Sequence, residues 1–277
     1  MALNGLIVNV CLPALTLLYT SETHFNRTQI LPVLMPYILF LVAFLFFKIL
    51  APILNFDRST TGALTLTAGI GSISFVGFPI FELMFGKQGL EIGVLMSQAG
   101  SFVVCGTLGI FTASWYSSEE VSWIKILKNI FTFPPFVAFC IAISINIFDW
   151  HFPIWMAEIL QKTGSPFTVL ALISVGLQIS FNKEDIQVKP LIYGLLYKLL
   201  LAPILIFVLY ILILQQHNPL GKQCVIGAAL GSMNTATIIA VNYGLNPKLA
   251  TQMVSISIPL SLLNVAIWYF LLGGIIL

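Results

Sequence analysis

Charge is what this chain has least of. Of its 277 residues, 12 are Lys or Arg and 10 are Asp or Glu, so 8% are charged where a soluble domain carries about 25%. Too few charges remain to coat a water-facing surface. The signs nearly balance, so there is no basic field for nucleic acid. Chemistry-bearing residues are also sparse. Cys11, Cys105, Cys140 and Cys224 lie in apolar stretches with no CxxC and no neighbouring His, which gives neither a metal site nor a disulfide framework. They read as small core residues. His24, His151 and His217, like Asp57, Asp149 and Asp185, fall in polar connections. That excludes a buried aspartyl pair and a Ser–His pair at depth, and no HExxH is present for a zinc peptidase.

What is there is apolar: 58% of residues are hydrophobic and mean hydropathy is +1.01. The excess must face lipid, which makes this a polytopic, all-helical membrane protein. The first residues lack Lys or Arg and a small-residue cleavage site, and read as a span, not a signal peptide. A bilayer core takes about 20 apolar residues as helix. Nine spans are predicted, at 2–20, 30–54, 62–85, 89–114, 130–148, 153–181, 189–214, 220–243 and 248–274. The sixth divides into a tilted segment from Pro153 to Thr163 and a short helix from Pro166. Lys48, Arg58, Lys125, Lys128, Lys183, Lys189 and Lys248 collect on one face, against Arg27, Lys87, Lys162 and Lys222 on the other. This bias places loop 115–129 in the cytoplasm and the C-terminus outside.

An internal repeat is the next expectation. Phe85-Gly86 closes the third span and Tyr243-Gly244 the eighth, and the same spacing pairs Pro32 with Pro190 and Ser97 with Ser255. Spans two to four then overlay spans seven to nine. A displacement of five spans is odd, so the two copies are inverted, as in secondary transporters. Residues 1–114 form a first repeat of four spans and 130–277 a second of five. The fifth span has no counterpart, so either the true start lies upstream of residue 1 or the first helix of the repeat has been lost.

Two spans are poor helices at mid-depth: Gly69 to Pro79, with Ser72, Ser74 and Gly77, and Gly227 to Thr237, with Gly231, Ser232, Asn234 and Thr235. Unpaired backbone in hydrocarbon costs several kcal/mol, so breaks are tolerated only where protein or a wet cavity meets them. Paired breaks in inverted copies predict crossing half-helices whose positive N-termini suit a carboxylate. The alternative is close packing of small residues between intact helices. Lys198, inside the seventh span, costs ~2.5–3.5 kcal/mol even on the lenient insertion scale; it either serves the site or snorkels toward Lys189. Glu82 and Gln98 are accessory candidates. Glu82 could carry a coupled proton, pair with Lys198, or reach the interface near Lys87.

The run Ser72 to Pro79 ahead of Phe85-Gly86, with Leu12-Pro13-Ala14-Leu15, Pro166 to Gly176, Lys198 to Pro203 and Tyr243 to Pro247, resembles the auxin efflux carrier family, whose broken-helix motif is N-T-x-F-x-G-x-P. The resemblance covers essentially the whole chain. It implies ten helices in two inverted five-helix repeats, an elevator-like motion of the core helices, a relation to bile-acid sodium symporters, and a homodimer. Members include plant auxin exporters and bacterial permeases for malate and malonate. Carried over by position, the crossovers are Ser72 to Pro79 and Gly231 to Thr235. Ser72 stands where the family has Asn, and Gly231 where Pro is usual. The expected function is a secondary active permease of the inner membrane for a small organic anion. It needs no organic cofactor or metal, and both Na⁺ and H⁺ stand as coupling ions. A non-transporting scaffold or receptor, or an inactive truncated permease, is the rival reading. A channel is disfavoured because no span carries a polar stripe.

Overall fold

The computed structural model describes residues 2–22, 29–117, 131–178 and 186–273. Twelve helical elements carry the argument: α1 (residues 2–22), α2 (Ile30–Leu54), α3 (Arg58–Gly69), α4 (residues 73–85), α5 (residues 87–116), α6 (Pro134–Ile147), α7 (Ile154–Gly164), α8 (Phe167–Gln178), α9 (Val188–Ile213), α10 (Pro219–Ala228), α11 (Asn234–Asn242) and α12 (Pro247–Leu271). Among the described residues, α2, α9 and α12 are each long and apolar enough to cross a bilayer, and so is the stretch 73–116 that Gly86 divides into α4 and α5.

The outward faces are apolar. In α2, Leu41, Leu45, Ile49 and Ile53 repeat every four residues, and all are more than half exposed, rising to 68% at Ile53. The opposite stripe, Met35, Leu39, Ala43 and Phe47, is buried. A helix apolar on both sides is solvated by lipid outside and protein inside. The chain is an integral membrane protein.

Helix ends follow local chemistry. Asp57 caps α3 by accepting the Thr60 amide at 3.1 Å, so that helix starts four residues before the predicted span. Asn218 caps α10 through the Gly221 amide, with Pro219 as its first residue, and Asn246 caps α12 through the Leu249 amide, as short polar caps do. Gly86 (φ 62°) ends α4 and Gly244 (φ 67°) follows α11, both in the left-handed region that glycine enters without strain. The sixth predicted span is two helices, α7 and α8, divided at Ser165-Pro166. Cys140 is a correction: it is exposed on α6, whereas Cys11, Cys105 and Cys224 are buried.

Packing divides the helices. α1 lies principally against α6 and α7, whereas α2, α3, α5, α9, α10, α11 and α12 pack on one another. α8 bridges the groups, with Phe167 5.5 Å from the Phe78 ring of α4. At one end of the second group, Asn246 donates through Nδ2 to Thr60 Oγ1 and Gln187 Oε1, both at 2.8 Å, and through its backbone amide to Ser59 Oγ. This junction gathers the starts of α3, α9 and α12, and Arg58, Lys189 and Lys248 with them. Loop 118–130, Lys125 and Lys128 included, falls outside the described residues.

Candidate functional site: the crossing of two interrupted helices

Both suspect spans are interrupted. α3 stops at Gly69, Ile70 is extended, and α4 begins at Ile73. α10 stops at Ala228, Met233 is extended, and α11 begins at Asn234. The two gaps pair with each other. The Ser72 amide donates to the Gly231 carbonyl at 2.9 Å and the Met233 amide to the Ile70 carbonyl at 3.0 Å, making a one-rung antiparallel bridge between Gly71 and Ser232. This is how backbone polar groups are satisfied where two helices break inside an apolar body.

The first gap is shorter than the expected 69–79. Ser74, Gly77 and Pro79 are already helical, in α4. Pro79 lacks an amide hydrogen, and the turns before it, Ile73–Gly77, are wound wide, which lets the helix absorb the missing bond. Gly77 is a packing position: a Cβ there would meet Leu230 Cδ1 at 2.8 Å. Ser72 and Ser74 are buried. Ser72 carries the bridge through its backbone, and its carbonyl accepts the Val76 and Gly77 amides.

The second gap is braced from α12. Ser257 Oγ accepts the Ser232 amide at 2.9 Å and donates to Ser232 Oγ at 3.0 Å. Asn264 Nδ2 donates to the Ala229 carbonyl at 3.1 Å and to the Leu199 carbonyl at 2.8 Å, joining α10, α9 and α12. Gly231 lies directly on α12, since a Cβ on it would stand 2.8 Å from Ile258 Cα. Ser257 escaped the sequence reading. Its one signal is its position, two residues from Ser255 of the repeat match.

Lys198 reaches the same place from α9. It is the one charged side chain that is buried among the described residues, at 0% exposure, so it does not snorkel. Its Nζ has no hydrogen-bond partner. A Cβ on Gly71 would stand 3.0 Å from that Nζ and 3.7 Å from the Gly227 carbonyl oxygen, which puts the ammonium at the crossing. Tyr197 holds this part of α9 in place. Its ring lies 5.3 Å from Phe46 and 5.6 Å from Phe47, and its hydroxyl donates to the Leu39 carbonyl at 2.6 Å.

Asn234 and Thr235 open α11 and are half-buried. Thr235 and Ile239 form one wall of a cleft of about 400 Å³, whose other walls include Val8 and Asn9 of α1, Phe102 to Ile110 of α5, and Thr132 to Pro134. The cleft therefore lies between the two packing groups and ends on the opening turn of α11. Glu82 is elsewhere: it is exposed, and its Oε2 accepts the Thr168 hydroxyl of α8 at 2.7 Å. Gln98 is buried in α5 with its Oε1 unpartnered. Among the described residues, no three His, Cys, Asp or Glu side chains come together.

Comparison with known proteins gives the family. The model of the membrane transport protein family matches residues 1–269. The chain belongs to that family. The resemblance to auxin efflux carriers drawn from the motifs therefore holds. Among curated proteins, the chain is similar to an uncharacterized transporter of Methanocaldococcus jannaschii, 25% identical over 280 residues, covering 98% of this chain and 89% of the relative. It is also similar to an uncharacterized transporter of Methanothermobacter thermautotrophicus, 27% identical over 274 residues, covering 96% and 87%.

Proposed function

We propose that the protein is a secondary transporter of a small organic anion, and that the anion's carboxylate binds at the helix crossing. The observation that carries this is the antiparallel pairing of the two gaps, Ile70 to Ser72 with Gly231 to Met233. That pairing sets the N-termini of α4 and α11 at one point inside an apolar body. The opening amides of a helix have no intrahelical partner and carry its positive dipole end, which favours an anion by roughly 0.3–2 kcal/mol per helix. Lys198, with its Nζ at the crossing, would add positive charge there when protonated. The cleft ending at Thr235 supplies the approach. Movement of the group around the crossing against α1, α6 and α7 would expose the site alternately to the two sides.

Purified protein in liposomes loaded with unlabelled malate, malonate or pyruvate should exchange the matching external radiolabelled acid. Asn234→Ala and Thr235→Val should each lower that exchange about tenfold, the loss of one to two hydrogen bonds at about 1 kcal/mol each. Wild-type vesicles that exchange no carboxylate while exchanging a neutral or cationic solute would overturn the reading. If flux is driven by an ion gradient, that ion and the anion must favour the same conformations.

A further inference from the structure

A fully buried lysine with no hydrogen-bond partner keeps its charge only where a compensating field holds it, and otherwise sheds its proton. The surroundings of Lys198 supply such a field. Gly227 lies in the last turn of α10, where helix carbonyls have no intrahelical partner and the dipole end is negative. Gly71 stands two residues past the equivalent end of α3. A Cβ at Gly71 would stand 3.0 Å from Lys198 Nζ and 3.7 Å from the Gly227 oxygen, so the nitrogen and the carbonyl border the same space. Ends of interrupted helices and unwound carbonyls of this kind are where membrane transporters hold a free Na⁺.

We infer that Lys198 is a built-in cation: its ammonium fills, at the negative ends of the interrupted helices, a site for a monovalent cation, so that no free Na⁺ binds at the crossing. The inference stands on the crossing geometry and not on the identity of the transported anion. It places the Lys198 nitrogen in the negative field of the helix ends, a field that exists with or without substrate.

The full-length protein in detergent tests this through cation binding, with choline chloride holding ionic strength constant. Wild type should bind no ²²Na⁺ saturably and melt at the same temperature in NaCl and in choline chloride. Lys198→Ala empties the ammonium's position and should melt lower in choline chloride. Methylammonium or ammonium should restore its melting temperature saturably, and Na⁺ should do so in part. Lys198→Met fills the space without charge and should respond to none of them. Saturable ²²Na⁺ binding to wild type would overturn the inference, as would a Lys198→Ala protein indifferent to every cation. If Lys198→Ala is recovered folded only when methylammonium is present throughout purification, the inference is supported. If no cation permits its recovery, while Lys198→Met folds as wild type does, the inference is overturned, because charge at that point is then dispensable and only volume matters. Failure of carboxylate exchange leaves all of these readouts intact, so the two readings fall separately.

Discussion

The two gaps in the crossing share a backbone pattern and differ in what stands behind them. Behind Gly231 is the backbone of α12, with Ile258 Cα 2.8 Å from where a Cβ would be, and a serine bonded to the next amide. Behind Gly71 is the tip of a flexible side chain, Lys198 Nζ, at 3.0 Å. One gap rests on a wall and the other on a movable charge. A rigid wall resists any added atom, whereas a side-chain tip yields and takes its charge with it. Changes at the second gap should therefore cost stability, and changes at the first should cost function.

The largest effect expected is Gly231→Ala. A methyl group driven into the α12 backbone cannot be relieved by a rotamer change, so a destabilisation of about 3 kcal/mol is expected, at the upper end for overpacking. A thermal melt in detergent checks it. A drop no larger than that of Gly71→Ala would erase the contrast. Ser257→Ala comes next. It leaves the buried Ser232 amide without its acceptor, which costs about 1–3 kcal/mol. Ser232→Ala removes one hydroxyl but keeps that acceptor, and should cost less than Ser257→Ala. The reverse order would show that the hydroxyl pair, not the amide, braces the gap.

Tyr197→Phe is smaller still. Its hydroxyl bond to the Leu39 carbonyl is buried, and its loss should lower stability by about 1 kcal/mol. The tilted ring contacts with Phe46 and Phe47 survive the change, so α9 and Lys198 keep their place. Cation binding to Tyr197→Phe should stay absent, as in wild type. Newly acquired ²²Na⁺ binding would mean that the hydroxyl, rather than packing, holds the ammonium at the crossing.

Both gaps were legible in the sequence because small residues crowd two places where a span should be continuous, and Gly86 and Gly244 close the following half-helices in the same way. Their limits were less so. Pro79 reads as a breaker, yet wide turns ahead of it let α4 start at Ile73. Cys140 was misplaced because lipid is as apolar as a protein core, so hydrophobicity cannot separate an outward face from an inward one in a span. Glu82 lay close to the motif in sequence, but the hydroxyl it meets is Thr168, on α8. Lys198 stood out by its cost in the bilayer. Its position against Gly71 is a contact between α9 and the first gap that no local pattern encodes. Ser257 and Asn264 brace the second gap for the same non-local reason, and Asn246-Pro247 reads as a turn while serving as a junction of three helix starts.

The smallest stability change belongs to Gly71→Ala, and it separates the two gaps most directly. The new methyl group would sit 3.0 Å from the Lys198 ammonium, and the long side chain can withdraw by a few tenths of an ångström through its own rotamers. The fold should lose less than about 1 kcal/mol, within the range of tolerated small-to-large changes. The displaced charge leaves the Gly227 carbonyl less well neutralised, at a point where the field of the helix ends decides what binds. Carboxylate exchange should therefore fall by about tenfold or more while the melting temperature barely moves. Gly71→Ala that melts as low as Gly231→Ala would place a wall behind the first gap as well. If it exchanged substrate at the wild-type rate, the position of the ammonium would have no bearing on transport.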